Sequence, residues 1–551
     1  MTAAFWLAAL VLAVLKLWLV SDLTLQIVYT PADDTAYVLR AWHLLRGEGY
    51  GPYDATLLVK YPGLSLWIAA MHELGLPLLL SINLLYLGAG LYLAGALLAC
   101  GARRWLVLLS FALYAFNPVT FGSEWIRPIR EPLSTGLLAL MVGAMAHMLA
   151  AHRAGRRPWG HLALFTLAFA FSLFVREEDR LLWGMLALFT GALAWQATGS
   201  LPRAARPRGG ALAFAAAAFI VPGLAGKAYE HALREFAERH YGLPMLHEFG
   251  EGEYPPMLAA IRGIRSAKDN RMVLLPQETI EKLRREVPEF APVAAQLPRP
   301  GPRTFSCQLQ GVCSEWSNGW MPFWIKEEAF RAGLTPTLVQ AQAYFRQVRM
   351  DIERACASGR LECSPHGSGI VAPMELRWTR AYVAETWRLL KWALGPEVGP
   401  LAGNPTVYDV PLEIGRIYRD MTGARFDDRL QSGYGAPASA QGRASAFGLA
   451  RLIITPVHRL ACAFLLLAAF AALLWRCWTA GRAAPDALAL TGMVFGAFLL
   501  GRLAILGWLA VSMGQFAPRI VFATYSVALL VALPFAAGSL RALRRGEGTP
   551  A

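Results

Sequence analysis

The chain has no Gly-rich Walker loop and no dinucleotide-binding fingerprint, which sets aside two common nucleotide-cradling motifs. No block of residues recurs at a fixed short period. No Ser-His-Asp or Cys-His arrangement stands out, so hydrolase chemistry loses support. The cysteines include no Cys-x-x-Cys pair, a frequent mark of structural zinc sites. The amino terminus lacks a basic leader, Lys16 interrupts its apolar run, and no small-residue cleavage site follows. A retained membrane span is therefore expected in place of a cleaved signal peptide. Lys16 would snorkel or pair inside the bundle.

Apolar sequence is abundant. Of 551 residues, 56% are hydrophobic, and mean hydropathy is +0.38. Such a chain is more apolar than a soluble domain, and its apolar runs are long enough to cross a bilayer. Run length places spans at roughly 4–28, 77–100, 104–120, 133–151, 160–175, 181–197, 210–226, 453–475, 487–512 and 519–540. The fold class expected is all-α and polytopic, with a mostly helical extracytoplasmic domain inserted before the last spans. Three blocks follow: a membrane module at 1–226 with an outer loop at 29–76, an outer domain at 227–451, and a second membrane module at 452–551.

The 52 basic and 38 acidic residues give a formal charge of +14. A basic balance can indicate nucleic acid, but here the positive charge falls in short loops between spans. Arg103 and Arg104 share one side with Arg153, Arg156 and Arg157, with Arg203, Arg206 and Arg208, with Arg476 and Arg482, and with Arg541, Arg544 and Arg545. That side reads as the cytoplasm. The partner is then the lipid bilayer, not nucleic acid. The same assignment forbids a crossing by residues 63–75, GLSLWIAAMHELG, which read as a half-helix that dips in and returns.

Between 227 and 451 charge, Pro and Gly rise, and parity puts this block outside. KAYEHALREFAERHYG, PQETIEKLRREV and LVQAQAYFRQVRMDIERACASG show helical spacing. Residues 432–448, rich in small side chains, read as a linker or as a mobile loop over a site. Cys307, Cys313, Cys356 and Cys363 fall in this outer block, where disulfides are expected. Three pairings are open, with Cys307–Cys313 and Cys356–Cys363 the local choice and zinc the competing reading. Cys100, Cys462 and Cys477 read as free thiols. Trp316, Trp320 and Trp324 repeat every four residues. They suit one helical stripe used for core packing or for contact with the lipid boundary.

Acids and bases concentrate on the outer side. Asp33 and Asp34 follow the first span, a helix and a Gly-rich turn come next, and Lys60 leads back into apolar sequence. Glu124, Arg127, Arg130 and Glu131 follow the third span. Arg176, Glu177, Glu178, Asp179 and Arg180 follow the fifth. Arg502 lies inside an apolar run, and Arg519 opens the last span. Each cluster also suits i,i+4 helix-surface pairing, Arg127 with Glu131 and within Arg176–Arg180. An arginine inside a span must face a polar interior or a partner. The set fits group transfer from a lipid phosphate. A carboxylate takes the proton of an acceptor hydroxyl, while arginine and lysine hold a phosphate and stabilise its departing charge. The acids could bind a divalent cation, although no ligand spacing argues for one. His43, His72 and His458 read as structural.

Asp33-Asp34 after the first span, the helix AYVLRAWHLLRGEGY, Lys60-Tyr-Pro-Gly-Leu before a half-helix, and Pro518-Arg519 carry a resemblance. The chain resembles the GT-C superfamily of membrane glycosyltransferases, nearest the branch of protein O-mannosyltransferases and bacterial aminoarabinose transferases. The likeness covers mainly the first 200 residues and the last span. It implies transfer of a hexosyl or pentosyl group from a polyprenyl-phosphate donor to a glycan, lipid or protein acceptor, on the periplasmic face of a bacterial inner membrane. It implies that Asp33 is the catalytic carboxylate with Asp34 as fallback, and that Lys60 and Arg519 contact the donor phosphate. Arg127, Arg130, Arg176 and Arg502 join the phosphate set on the charge argument alone, with Glu124, Glu177 and Asp179 as supporting acids. Ala36 stands where the family often has a basic residue, and Lys-Tyr-Pro replaces Lys-Pro-Pro. Two rival readings share the topology: a polymerase or ligase of lipid-linked glycans, and a transporter or flippase without covalent chemistry.

Overall fold

The computed structural model describes residues 2–21, 23, 25, 33–122, 124–199, 210–266, 273–297, 315–316, 318–364, 371, 374–394, 411–423, 438–479, 485–513 and 521–544. Cys307, Cys313, Arg519 and residues 432–437 lie outside them. Among the described residues there is no named strand, only an isolated bridge between Ile264 and Cys363.

Nine helices among the described residues are long and apolar enough to cross a membrane. In chain order the helices begin with α1 (Thr2–Val20), α2 (Asp34–Leu45), α3 (Gly63–Glu73), α4 (Leu78–Ala99), α5 (Arg104–Ala115), α6 (Arg130–Arg153), α7 (Trp159–Ser172), α8 (Leu182–Gly199) and α9 (Gly210–Tyr241). The expected first span at 4–28 ends earlier, at Val20. Helix α7 has 14 residues, or about 21 Å of rise, short of a full hydrocarbon core. It is lengthened by the turn that leads into a 3-10 segment, Glu177–Leu181. Helix α3 has 11 residues, far too few to cross, in keeping with the expected half-helix.

Helix α6 sits at the centre. Most of its span is buried, and it packs against α4 and α7. Gly136, Ala139, Gly143 and Ala146 recur along it; small residues let helix backbones approach where lipid gives no hydrophobic drive. Lys16 is fully buried, not snorkelled. Its Nζ donates to Thr120 Oγ1 at 2.6 Å and sits over the Phe121 ring.

The outer block contains α10 (Tyr254–Gly263), α11 (Gln277–Glu286), α12 (Ala291–Gln296), α13 (Met321–Arg331) and α14 (Leu338–Ala357). On α14, Ala341, Phe345, Val348 and Ile352 lie at three- and four-residue steps and meet Tyr254, Leu258 and Leu283 in a second core. Cys356 and Cys363 form a disulfide, the expected local pair. The tryptophan stripe is not helical. Trp320 precedes α13, which opens at Met321-Pro322, and proline favours the first turn because its missing N–H costs nothing there. Trp316 and Trp324 pack with ring centroids 5.5 Å apart, while Trp320 is exposed.

The last helices are α15 (Thr379–Leu394), α16 (Leu412–Thr422), α17 (Ala438–Thr479), α18 (Ala487–Met513) and α19 (Phe522–Arg544). Residues 438–448 are helical, which corrects the linker or mobile-loop reading for that part. Helices α9 and α17 run unbroken through positions 226–227 and 451–452, so membrane helices extend into the outer block. Helices α15 and α16 leave the outer core: α15 packs on α18, and α16 packs on α2 and α3.

Candidate functional site

Asp33 precedes α2 and Asp34 opens it. Asp34, Tyr37, Val38 and Ala41 form one buried face at helical spacing. Asp34 is fully buried. Arg127 binds it through both arms, Nε to Oδ1 at 2.8 Å and Nη2 to Oδ2 at 2.6 Å. That fork geometry is the strong form of the arginine–carboxylate pair. Arg127 also reaches Glu124 at 3.1 Å. The expected Arg127–Glu131 helix pair does not form, because Glu131 instead faces Arg176 at 3.1 Å.

Asp33 points elsewhere. Its Oδ1 accepts from Lys60 Nζ at 2.7 Å, with both side chains about one-fifth exposed. Burial holds the Lys60 ammonium below its ordinary range, and Asp33 opposes that shift. The loop carrying Lys60 is fixed from several directions. Asp54 accepts from Thr56 and Leu57. Arg40 donates to the carbonyls of Thr56 and Lys60. Leu58 takes a left-handed φ of 54°, a costly conformation for a residue with a Cβ. Its carbonyl accepts from the Glu248 amide at 2.8 Å. Glu248 is buried with Lys326, and Tyr53 and Gln342 complete its partners. Gly63 then brings α3 against the end of α7: its amide donates to the Phe174 carbonyl at 2.8 Å. A Cβ there would meet that oxygen at 2.5 Å, so only glycine fits.

The Tyr37 ring lies between cations, 5.9 Å from Lys60 Nζ and 5.8 Å from the Arg130 guanidinium. Its hydroxyl is buried without a hydrogen-bond partner among the described residues. Burial raises its pKa well above the ordinary value. Arg130 binds both oxygens of Glu177 at 2.7 Å. His247 lies 3.7 Å from Glu177 and packs at a tilt against Tyr61; burial lowers its pKa. Tyr418 of α16 closes the other side, its hydroxyl donating to Thr35 Oγ1 at 3.3 Å.

The expected outer arginines therefore fall into two groups. Lys60, Arg127 and Arg130 form partly exposed ion pairs with Asp33, Glu124 and Glu177. Arg176 and Arg502 are almost fully buried. Arg176 pairs with Glu131 and Glu178. Arg502 pairs with Asp179 at 3.3 Å and approaches Glu178 at 3.6 Å. These contacts tie α6, the 3-10 segment and α18 together. Arg180 does not pair within its own cluster but donates to the Tyr61 hydroxyl at 2.6 Å. His43, His72 and His458 each have a local partner: Glu48, the Asp420 carbonyl and the Leu113 carbonyl. Among the described residues no three His, Cys, Asp or Glu side chains converge as a metal site.

Sequence reasoning missed Tyr37, Tyr418, His247 and Glu248. Tyr37 was within reach, since it shares the α2 face with Asp34. Tyr418 and Glu248 lie far along the chain from the residues they contact, in stretches without any motif.

Chemically, the cluster offers a partly exposed carboxylate and ammonium in contact, with arginines whose acids partly neutralise them. Compared with protein-family models, with curated proteins and with solved structures, the chain matches none.

Proposed function

We propose that the chain transfers a sugar from a polyprenyl-phosphate-linked donor to an acceptor hydroxyl at the outer end of its bundle. The observation that carries this reading is the partly exposed Asp33–Lys60 contact, with Lys60 and Arg130 both at the Tyr37 ring. A carboxylate serves the acceptor and an ammonium serves the phosphate. Donor binding would exchange the Asp33–Lys60 contact for a Lys60–phosphate contact. Asp33 then accepts the acceptor O–H proton as the acceptor oxygen attacks the anomeric carbon. The bond from that carbon to the phosphate oxygen breaks, the electron pair leaves with the lipid phosphate, and the anomeric centre inverts. Arg130 serves the departing oxygen as a further donor. Arg176 and Arg502 serve by holding α6, the 3-10 segment and α18 together.

We place the protein in a bacterial inner membrane with the outer block in the periplasm. Arg104 opens α5 and Arg153 closes α6, whereas Arg130 and Asp34 lie at the opposite helix ends. That separation of loop charge supports the orientation.

The deciding experiment is transfer by the reconstituted full chain from a polyprenyl-phosphate hexose, read as release of polyprenyl phosphate. Asp33→Asn is expected to lower the rate at least about a hundredfold. Wild-type turnover by folded Asp33→Asn protein sinks the assignment.

A further inference from the structure

Tyr61, next to Lys60 in the chain, lines a cavity of about 640 Å³. Leu173, Phe174, Trp183 and Gly226 form its apolar part, and Arg180 and Lys227 stand among its charged residues. It occupies the outer ends of α7, α8 and α9, where Ile220, Val221 and Leu224 on α9 are exposed apolar residues. Gly226 keeps α9 close to α7, since a Cβ there would meet Leu173 at 2.9 Å.

Two kinds of charge meet in this cavity. Arg234 is committed: it binds Glu230, Glu251 and the Pro244 carbonyl, fastening α9 to the start of the outer block. That internal network accounts for Arg234 and both acids. It does not account for Arg180 and Lys227, whose side chains are 60% and 69% exposed. Arg180 touches Tyr61 and stands 3.8 Å from Glu251, and Lys227 has only the neighbouring Glu230 at 2.8 Å. Such exposed pairs hold their geometry weakly, so both cations can turn to an anion.

We propose that this cavity binds the phosphate headgroup of a bilayer lipid. Arg180 and Lys227 take the phosphate, Trp183 sits at the headgroup level that suits its ring, and the hydrocarbon runs down the exposed face of α9. Neither Asp33 nor Lys60 lines this cavity, so it is distinct from the Asp33–Lys60 pair. The proposal needs neither a sugar donor nor turnover, and it stands or falls independently of sugar transfer.

The test uses the full-length protein in nanodiscs of phosphatidylcholine and phosphatidylglycerol, released into mild detergent, with retained lipid counted by native mass spectrometry. The wild type is expected to retain phosphatidylglycerol in preference to phosphatidylcholine. Arg180→Gln and Lys227→Gln should each cut retention roughly fivefold, as removal of one cation near an anionic headgroup implies. Displacement of the retained lipid by polyprenyl phosphate would identify that lipid as the occupant; failure to displace it would identify bulk phospholipid, and either supports a lipid phosphate. Competition by inorganic phosphate at equal molar potency overturns the lipid anchor. So does wild-type retention by the folded double variant. Arg239, equally exposed on α9 and outside the cavity, supplies the control. If Arg239→Gln lowers retention as much, surface charge and not the cavity binds lipid.

Discussion

Lys60 and Asp33, 27 positions apart in the chain, meet at 2.7 Å in a partly exposed contact. Their contact keeps an ammonium and a carboxylate ready without an outside ligand. It also sets a pH limit. Burial holds the Lys60 pKa below the ordinary lysine range, and only the charged form holds phosphate. Transfer is therefore expected to fall as pH rises through that lowered pKa, earlier than an exposed lysine would allow. Lys60→Arg keeps its charge throughout and should remove this alkaline limb, at some loss of rate. Lys60→Gln should lose about a hundredfold or more at every pH. A pH–rate series on the three proteins checks this; an unchanged alkaline limb in Lys60→Arg would show that another group titrates.

Asp34 differs from its neighbour in kind. It is fully buried and forked by Arg127. Asp34→Asn takes the forked carboxylate from Arg127 and is expected to cost about 3–5 kcal/mol of stability. Asp33→Asn, at a partly open position, should cost far less. Thermal unfolding of the two variants in detergent would order them. A smaller loss for Asp34→Asn would return it to the role of catalytic candidate.

Much of this arrangement was legible because charge beside a membrane boundary is conspicuous. Asp33, Asp34 and Lys60 stood out as ionisable groups flanking a run too short to cross, and α3 confirms that run as a short helix. Arg502 stood out as an arginine inside a span, and it has the acidic partner that such a position demands. What the pattern could not give was pairing. The i,i+4 rule offered Arg127 and Glu131 to each other, yet helix α6 begins only at Arg130, so Arg127 is not on the helix with Glu131. The tryptophan stripe failed for a local reason, because Pro322 marks a helix start that the four-residue repeat ignored. Residues 438–448 misled by their small side chains, which suit a linker and an extended helix alike.

The outer block is tied to the Lys60 loop through Glu248 and Lys326. Both are buried, and the Glu248 amide holds the strained Leu58 carbonyl. Lys326→Met would strand the Glu248 charge and is expected to cost about 3–5 kcal/mol, felt first in the loop. Amide exchange at Leu57 to Val59 should quicken before exchange on α14 does. Equal loss of protection in both places would mean that the pair supports the whole outer core and has no special hold on the Lys60 loop.

Arg502 and Asp179 separate a structural clamp from a phosphate ligand. Arg502→Met leaves Asp179 buried without this partner, an expected loss of about 3–5 kcal/mol, whereas replacing both partners by apolar residues is often near neutral. The double variant Arg502→Met with Asp179→Leu should therefore melt closer to the wild type than Arg502→Met alone. If Arg502 only ties α18 to the 3-10 segment, transfer should recover with stability, because Lys60 and Arg130 are untouched. If Arg502 holds the donor phosphate, the double variant will fold and remain inactive. The guanidinium is 2% exposed and pairs with Asp179 and Glu178, so recovery of transfer is the expected outcome.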